Sequence, residues 1–172
     1  YWYFYGIDVM SAGDNGLYIA GSYNVVEYCS FHENQDSGLQ IGRALSEQIS
    51  VNEWPHNNLV KNCTSYNNYD YQTYGENADG FAAKLTNGEG NIFDGCIAYR
   101  NSDDGWDLYA KSDSGKVGTT IIKNCVSFEN GWLLEKTSCP DESDFNSFGA
   151  SSITTTAKMN EKTNNGQSLT YT

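Results

Sequence analysis

The chain contains very little proline, and no apolar run in it is long enough to cross a bilayer. Of its 172 residues only 2 are proline, whereas 17 are glycine and 13 are tyrosine. No window repeats apolar residues at helical spacing over three turns, but short alternating runs recur, as in residues 16–20 and 38–42. Short alternating runs rich in aromatic residues and turn formers predict an all-β protein of one domain.

Basic residues are also scarce. The chain has 10 Lys and Arg against 22 Asp and Glu, a formal net charge of -12. This balance argues against nucleic acid or an anionic membrane as a partner and makes cations the natural counterpart. A polyanionic substrate would need bound metal or basic side chains in the binding groove, because like charges repel.

The chain begins with Tyr1-Trp2-Tyr3-Phe4-Tyr5 and has no initiator methionine. We therefore expect an internal fragment of a longer protein. For such a fragment, the lack of a signal peptide says nothing about where the parent protein works.

Four units of the sequence align on a cysteine, a position five residues before it and an asparagine five residues after it. Successive cysteines are 34, 33 and 29 residues apart, a period typical of stacked solenoids. Short β-branched runs followed by Asn and Gly favour strands over helix pairs, so the repeat predicts a parallel β-helix. The aligned positions are Asn24, Cys29 and Asn34; Asn58, Cys63 and Asn68; Asn91, Cys96 and Asn101; and Thr120, Cys125 and Asn130.

A second strand in each unit follows a glycine, and its alternation sorts side chains into two faces. The inward columns are Leu17, Leu39, Phe81 and Trp106, and Ile19, Ile41, Ala83 and Leu108. The outward column is Tyr18, Gln40, Ala82 and Asp107. One outer face is therefore expected to collect the chemistry.

The repeated cysteines and asparagines are interpreted as structural. A single cysteine per turn fits neither a disulfide nor a metal site, so we expect a ladder of buried thiols, with Cys139 outside the register. The asparagines are expected to hydrogen-bond up and down the stack at a turn.

Four aspartates are predicted to meet on neighbouring coils. Asp79 stands before Gly80, Asp103 and Asp104 stand before Gly105, and Asp107 follows on the outward face. Adjacent strands lie about 4.8 Å apart, so these carboxylates would be close together. A solvated acidic surface is one interpretation; a calcium site is the sharper one, because calcium accepts oxygen ligands in irregular geometry. Without His or Cys nearby zinc is disfavoured, and magnesium demands stricter geometry.

Two segments resemble polysaccharide lyase family 9, the right-handed parallel β-helix pectate lyases. They are Glu76-Asn77-Ala78-Asp79-Gly80-Phe81-Ala82-Ala83-Lys84 and Asn101-Ser102-Asp103-Asp104-Gly105-Trp106-Asp107-Leu108-Tyr109, and the resemblance covers about residues 1–132. It implies that Asp79, Asp103, Asp104 and Asp107 bind the catalytic Ca²⁺. It further implies β-elimination on polygalacturonate by a secreted bacterial-type protein, which we expect to be a monomer.

The chain departs from the family at the catalytic base. The family carries a lysine in a Gly-Phe-Lys-Leu-Gly-type strand on the next coil, and no such motif occurs here. Residues 133–172 follow no repeat, so we predict β-helix coils over 1–132 and an irregular or poorly ordered segment over 133–172.

Lys84 is the groove-facing lysine that is left as a candidate base or holder of a substrate carboxylate, with an ordinary surface lysine as the alternative. Tyr18, Gln40 and Tyr109 are candidates for lining sugar subsites. Arg43 and Arg100 are weaker candidates for binding uronate carboxylates.

Three functions remain open at this point. The first is a calcium-dependent pectate lyase, here as a fragment whose base is missing or displaced. The second is a non-catalytic β-helix that binds acidic polysaccharide through calcium, and the third is a purely structural calcium site.

Overall fold

The computed structural model describes residues 1–42, 50–73, 75–110 and 117–131 and the strand Leu169–Tyr171. The regular elements of this part of the chain are all strands, mostly of three residues. They are β1 (Tyr3–Tyr5), β2 (Asp8–Met10), β3 (Leu17–Ile19), β4 (Val25–Glu27), β5 (Ser30–His32), β6 (Leu39–Ile41), β7 (Leu59–Lys61), β8 (Thr64–Tyr66), β9 (Phe81–Ala83), β10 (Asn91–Asp94), β11 (Ile97–Tyr99), β12 (Trp106–Asp107), β13 (Thr120–Lys123), β14 (Val126–Phe128) and β15 (Leu169–Tyr171).

The strands form three parallel sheets, to which each full coil of the chain contributes one strand apiece. The first sheet has the order β1-β4-β7-β10-β13-β15, the second β14-β11-β8-β5-β2 and the third β12-β9-β6-β3. The predicted parallel β-helix is confirmed. The register pairs Leu39 with Phe81 and Trp106 with Phe81, as the glycine alignment predicted.

Two sharp corners in each coil are made by residues with a left-handed backbone. At the first corner Tyr28, Asn62, Gly95 and Asn124, each directly before a repeat cysteine, have φ between 51° and 70°. At the second, Glu33, Asn67, Arg100 and Glu129 directly precede the ladder asparagines and have φ between 52° and 55°. Asn and Gly adopt this conformation most readily, which explains their frequency at these turns.

The inward side chains form one continuous core along the helix axis. The four repeat cysteines are buried free thiols, as predicted. In the third sheet the rings of Phe81 and Trp106 stack with centroids 5.0 Å apart, and Phe93 from the first sheet packs edge-on against Trp106 at 6.1 Å. These rings fix the backbone of β9 and β12, next to which the aspartates lie.

The asparagine ladders are also confirmed as structural. Asn34 Nδ2 donates to Asn68 Oδ1 at 2.9 Å, Asn68 Nδ2 to Asn101 Oδ1 at 2.8 Å, and Asn101 Nδ2 to Asn130 Oδ1 at 2.9 Å. A second ladder links Asn24, Asn58 and Asn91 in the same way. These bonds satisfy amides that the turn buries.

The final strand, β15, pairs in parallel with β13 at the edge of the first sheet. The rest of the segment 133–172, including Cys139, lies outside the described residues, so the prediction for that segment stays a prediction. Where the chain is described, no helix is long and apolar enough to span a membrane.

Candidate functional site

The site lies at the corner of the coil that leads into the third sheet. Packing explains why a glycine follows each aspartate at this corner. A Cβ on Gly80 would lie 2.8 Å from the Cβ of Ala98 and 2.8 Å from Nδ2 of Asn101, so only glycine fits against the asparagine ladder. The residue before each glycine consequently stands at the same place in every coil, which superposes Asp79 and Asp104.

Three of the four predicted metal ligands meet at this corner. Carboxylate oxygens of Asp79, Asp103 and Asp104 all lie within 4.8 Å of one another. Asp79 and Asp104 are buried, with 0% and 4% of their surface exposed, and Asp103 is partly exposed. The cluster is therefore reached from one side, past Asp103.

Hydrogen bonds hold these carboxylates in place. Asp79 accepts a bond from Ser37 Oγ at 2.8 Å and a longer one from the backbone N of Asp104 at 3.3 Å. Asp103 accepts a bond from the backbone N of Asn77 at 2.8 Å. Within the described ranges, Oδ1 of Asp104 is buried without a hydrogen-bond partner. A buried carboxylate oxygen left this way is costly, so a positively charged ligand at this oxygen would be stabilising.

Asp107 differs from the prediction that all four carboxylates surround one point. Its Oδ1 accepts a bond from the backbone N of Tyr109 at 2.9 Å, and its Oδ2 lies 2.9 Å from Nζ of Lys84. The same Nζ lies 2.7 Å from Oδ2 of Asp79. Asp107 thus joins the cluster through the lysine.

Lys84 is not the exposed groove residue that the sequence suggested. It is 7% exposed, and it extends from the end of β9 to both aspartates. Burial opposes its charged form, but the carboxylates of Asp107 and Asp79 outweigh burial and raise the pKa of Lys84 well above its ordinary value. A neutral lysine base needs a lowered pKa, which is the opposite direction. Whether Lys84 acts in catalysis stays a prediction.

Burial also raises the pKa of the Asp104 carboxyl well above its ordinary value, and repulsion from Asp103 and Asp79 adds to the effect. Burial raises the pKa of the Asp79 carboxyl in the same direction, so the neutral form of both groups is favoured. A divalent cation bound at Asp104 would favour the charged form instead.

The other predicted residues lie at different distances from the cluster. Tyr109 is partly exposed, and its backbone N positions Asp107. Gln40 is buried at 1% exposure, two strands away, and its Nε2 has no partner among the described residues. Tyr18 is three strands from Asp107 and lines a separate cavity of about 340 Å³ beside Trp2 and Phe4. Arg100 pairs with Glu129 at 2.7 Å, and Arg43 lies outside the described residues.

Two contributors were missed at the sequence level. Ser37 occupies the same alignment column as Asp79, one coil earlier, so the repeat itself could have identified it. Asn77, which has a φ of 71°, contributes through its backbone N, which donates to Asp103. A backbone contact of this kind cannot be predicted from residue type.

Among the described residues, the possible metal ligands of the cluster are carboxylate oxygens from side chains on two consecutive coils. Hard divalent cations with irregular coordination suit such a set, and a rigid coil corner can hold part of their shell while leaving positions open on the exposed side. Fold and site together define a parallel β-helix with a corner that gathers carboxylate oxygens from two coils.

The family described as "Pel9A-like, right handed beta helix region" matches residues 1–167. The chain is 50% identical over 148 residues to pectate lyase L of Paenibacillus polymyxa (strain SC2), covering 86% of this chain and 32% of that protein. It is 50% identical over 139 residues to pectate lyase L of Thermoclostridium stercorarium, covering 80% of this chain and 11% of that protein. The crystal structure of pectate lyase Pel9A superposes with a TM-score of 0.68 at 39% identity, over 80% of this chain and 31% of that one.

The chain therefore belongs to the Pel9A-like right-handed β-helix family. The resemblance to polysaccharide lyase family 9 and the right-handed helix are both confirmed. The chain spans about a third or less of the length of these relatives.

Proposed function

We propose that this chain forms the calcium-binding part of a pectate lyase that cleaves polygalacturonate by β-elimination. The observation that carries the proposal is the corner at which Asp79, Asp103 and Asp104 bring carboxylate oxygens within 4.8 Å of one another. The pectate lyases among the relatives supply the substrate class. A net charge of -12 favours a bound cation or basic side chains at the place where an acidic sugar approaches.

The ligand set fits calcium. Asp79, Asp103 and Asp104 would bind the ion, and the unpartnered Oδ1 of Asp104 is the atom that most needs it. Asp107 would join these ligands after it loses its ion pair with Lys84. When bound, the ion supplies Lewis-acid chemistry, which neutralises a uronate carboxylate and favours negative charge beside it.

The chain's own residues contribute positioning and charge. Asp103, on the accessible side of the cluster, marks where a sugar carboxylate would approach. Ser37 and the backbone of Asn77 hold the carboxylates so that little reorganisation is needed. Tyr109, partly exposed beside Asp107, would form an edge of the sugar subsite.

The elimination requires a base to take the C5 proton, after which the electron pair forms the C4–C5 double bond and the 4-linked oxygen departs. Among the described residues Lys84 is the lysine that contacts the cluster, through ion pairs with Asp79 and Asp107. We propose that Lys84 balances charge or holds a substrate carboxylate at this site, and proton abstraction by Lys84 stays a prediction.

The proposal carries further expectations from the family resemblance. The parent protein would act outside the cell on pectic polysaccharide, as a monomer. Neither nucleic acid nor membrane is expected as a partner.

A non-catalytic module that binds acidic polysaccharide through calcium is the second candidate. The carboxylate cluster supports this candidate as well, because binding an acidic polysaccharide through calcium needs no base.

One experiment separates the two candidates. The chain is mixed with polygalacturonate, with calcium or with a chelator, and the ultraviolet absorbance of unsaturated product is followed while retention on the polymer is measured by affinity electrophoresis. A lyase gives absorbance only with calcium. A binding module gives calcium-dependent retention without absorbance, and the absence of both results would contradict both candidates.

A further inference from the structure

Lys84 connects two aspartates of the site, Asp79 and Asp107. Its Nζ lies 2.7 Å from Oδ2 of Asp79 and 2.9 Å from Oδ2 of Asp107, and these residues belong to neighbouring coils. The lysine side chain is 8% exposed, the Asp107 side chain 14% and the Asp79 side chain 0%. This differs from the other lysine pairs of the described chain, Lys61 with Glu27 and Lys123 with Asp94, whose lysines are far more exposed and whose distances are 3.3 Å.

The ammonium lies between Asp107 and the group formed by Asp79, Asp103 and Asp104. It contacts Oδ2 of both Asp79 and Asp107, the two oxygens between which a shared cation would lie. Two cations that share one carboxylate at such short range repel each other strongly where water is excluded. An ion that bridges Oδ2 of Asp79 and Oδ2 of Asp107 would therefore take the position of the Lys84 ammonium.

We infer that Lys84 is a built-in counterion that a divalent cation displaces from Asp79 and Asp107 when it binds. The inference rests on the proposed calcium site and adds a regulation of that site. In the ion-free protein, Lys84 stabilises the acidic corner. On binding, its ammonium moves to the accessible side, where it becomes free to contact an anionic ligand.

Displacement predicts that the lysine weakens cation binding. Lys84→Met keeps the length of the side chain and removes the competing charge. We expect its calcium affinity, measured by isothermal titration calorimetry, to be at least about tenfold higher than that of the unchanged chain. Lys84→Arg keeps the charge and should stay at the lower affinity, and Lys61→Met is the control for net charge because Lys61 lies on another sheet.

A second measurement needs no variant and covers the case in which Lys84→Met fails to fold. Lysines of the unchanged chain are acetylated briefly with and without calcium, and the modification of each is read by mass spectrometry. Calcium should raise the labelling of Lys84 several-fold and leave that of Lys61 and Lys123 unchanged.

The outcomes separate this inference from the proposed function. The displacement is overturned if the chain binds calcium but Lys84→Met leaves the affinity equal or lowers it. It is also overturned if calcium does not raise the labelling of Lys84. Either result leaves the calcium site intact. A chain that binds no calcium at all overturns both.

Discussion

The ammonium of Lys84 lies 2.7 Å from Oδ2 of Asp79, and both side chains are buried at the corner of one coil. Lys84 and Asp79 are five residues apart in sequence, so their contact is local. The same ammonium also contacts Asp107 on the next coil. Lys84 thereby reduces the repulsion between carboxylates of neighbouring coils. This relationship determines what substitution, acid and calcium should each do.

Asp104→Asn should weaken calcium binding at least about tenfold, because it removes the charge of a carboxylate whose Oδ1 is buried without a partner. The measurement is calorimetric titration with calcium. Asp94→Asn is the matched control, since Asp94 lies on the first sheet and pairs with Lys123. Equal affinities for the two variants would remove Asp104 from the ligand set.

The stabilisation that calcium gives should depend on pH. The pKa of Asp104 is raised above its ordinary value of 3.8, first by burial. The folded, ion-free chain therefore binds a proton that the unfolded chain releases, and its stability falls as pH rises from 3.8 through the raised pKa. Calcium replaces the proton, so the calcium-induced rise in Tm should be largest above the raised pKa.

Thermal unfolding with calcium or a chelator, between about pH 4 and pH 8, measures this dependence. The two unfolding curves should converge at the acid end, where protons occupy the carboxylates. A calcium-induced shift of Tm that is equally large at both ends would contradict the raised pKa of Asp104.

Gly80→Ala should destabilise the fold by about 1–3 kcal/mol, because the added Cβ would press on Ala98 and Asn101. It should also weaken calcium binding by moving Asp79. Gly13→Ala is the matched control, since a Cβ at Gly13 meets nothing within 4 Å. Denaturant unfolding of the two variants gives the difference, and equal stabilities would show that the corner tolerates a side chain.

Trp106→Ala should lower the free energy of unfolding by about 3–5 kcal/mol, because it removes the ring that packs on Phe81 and Phe93. Tyr71→Ala, at a position that is 72% exposed, should change stability by less than about 0.5 kcal/mol. Calcium should recover only part of the loss in Trp106→Ala, since the ring holds the strand that carries Asp107. Full recovery would mean that the core and the site are independent.

Most of the fold could be predicted from the sequence because every coil of a solenoid makes the same turns and the same contacts with its neighbours. Each coil needs a left-handed residue before its cysteine and an asparagine that satisfies its neighbour, so the residues recur in register. Alternation along three-residue strands then places Phe81 and Trp106 inward. The same register placed Asp79 and Asp104 at one corner.

The details of the site could not be predicted, because they depend on side-chain direction rather than on register. Alternation assigns Lys84 to an outward column, but its long stem lets the ammonium turn back to Asp79 and Asp107. Gln40 belongs to the same outward face and is nevertheless buried. Contacts made by backbone groups, such as that of Asn77 with Asp103, leave no trace in residue type.

The most direct test of the account is a crystal structure of the chain grown with calcium, with the ion located by its anomalous scattering. We predict one ion bound about 2.3–2.6 Å from oxygens of Asp79, Asp103 and Asp104, with Asp107 turned toward it and Lys84 turned away. A corner without an ion at saturating calcium, or an ion bound elsewhere with Lys84 still between Asp79 and Asp107, would contradict it.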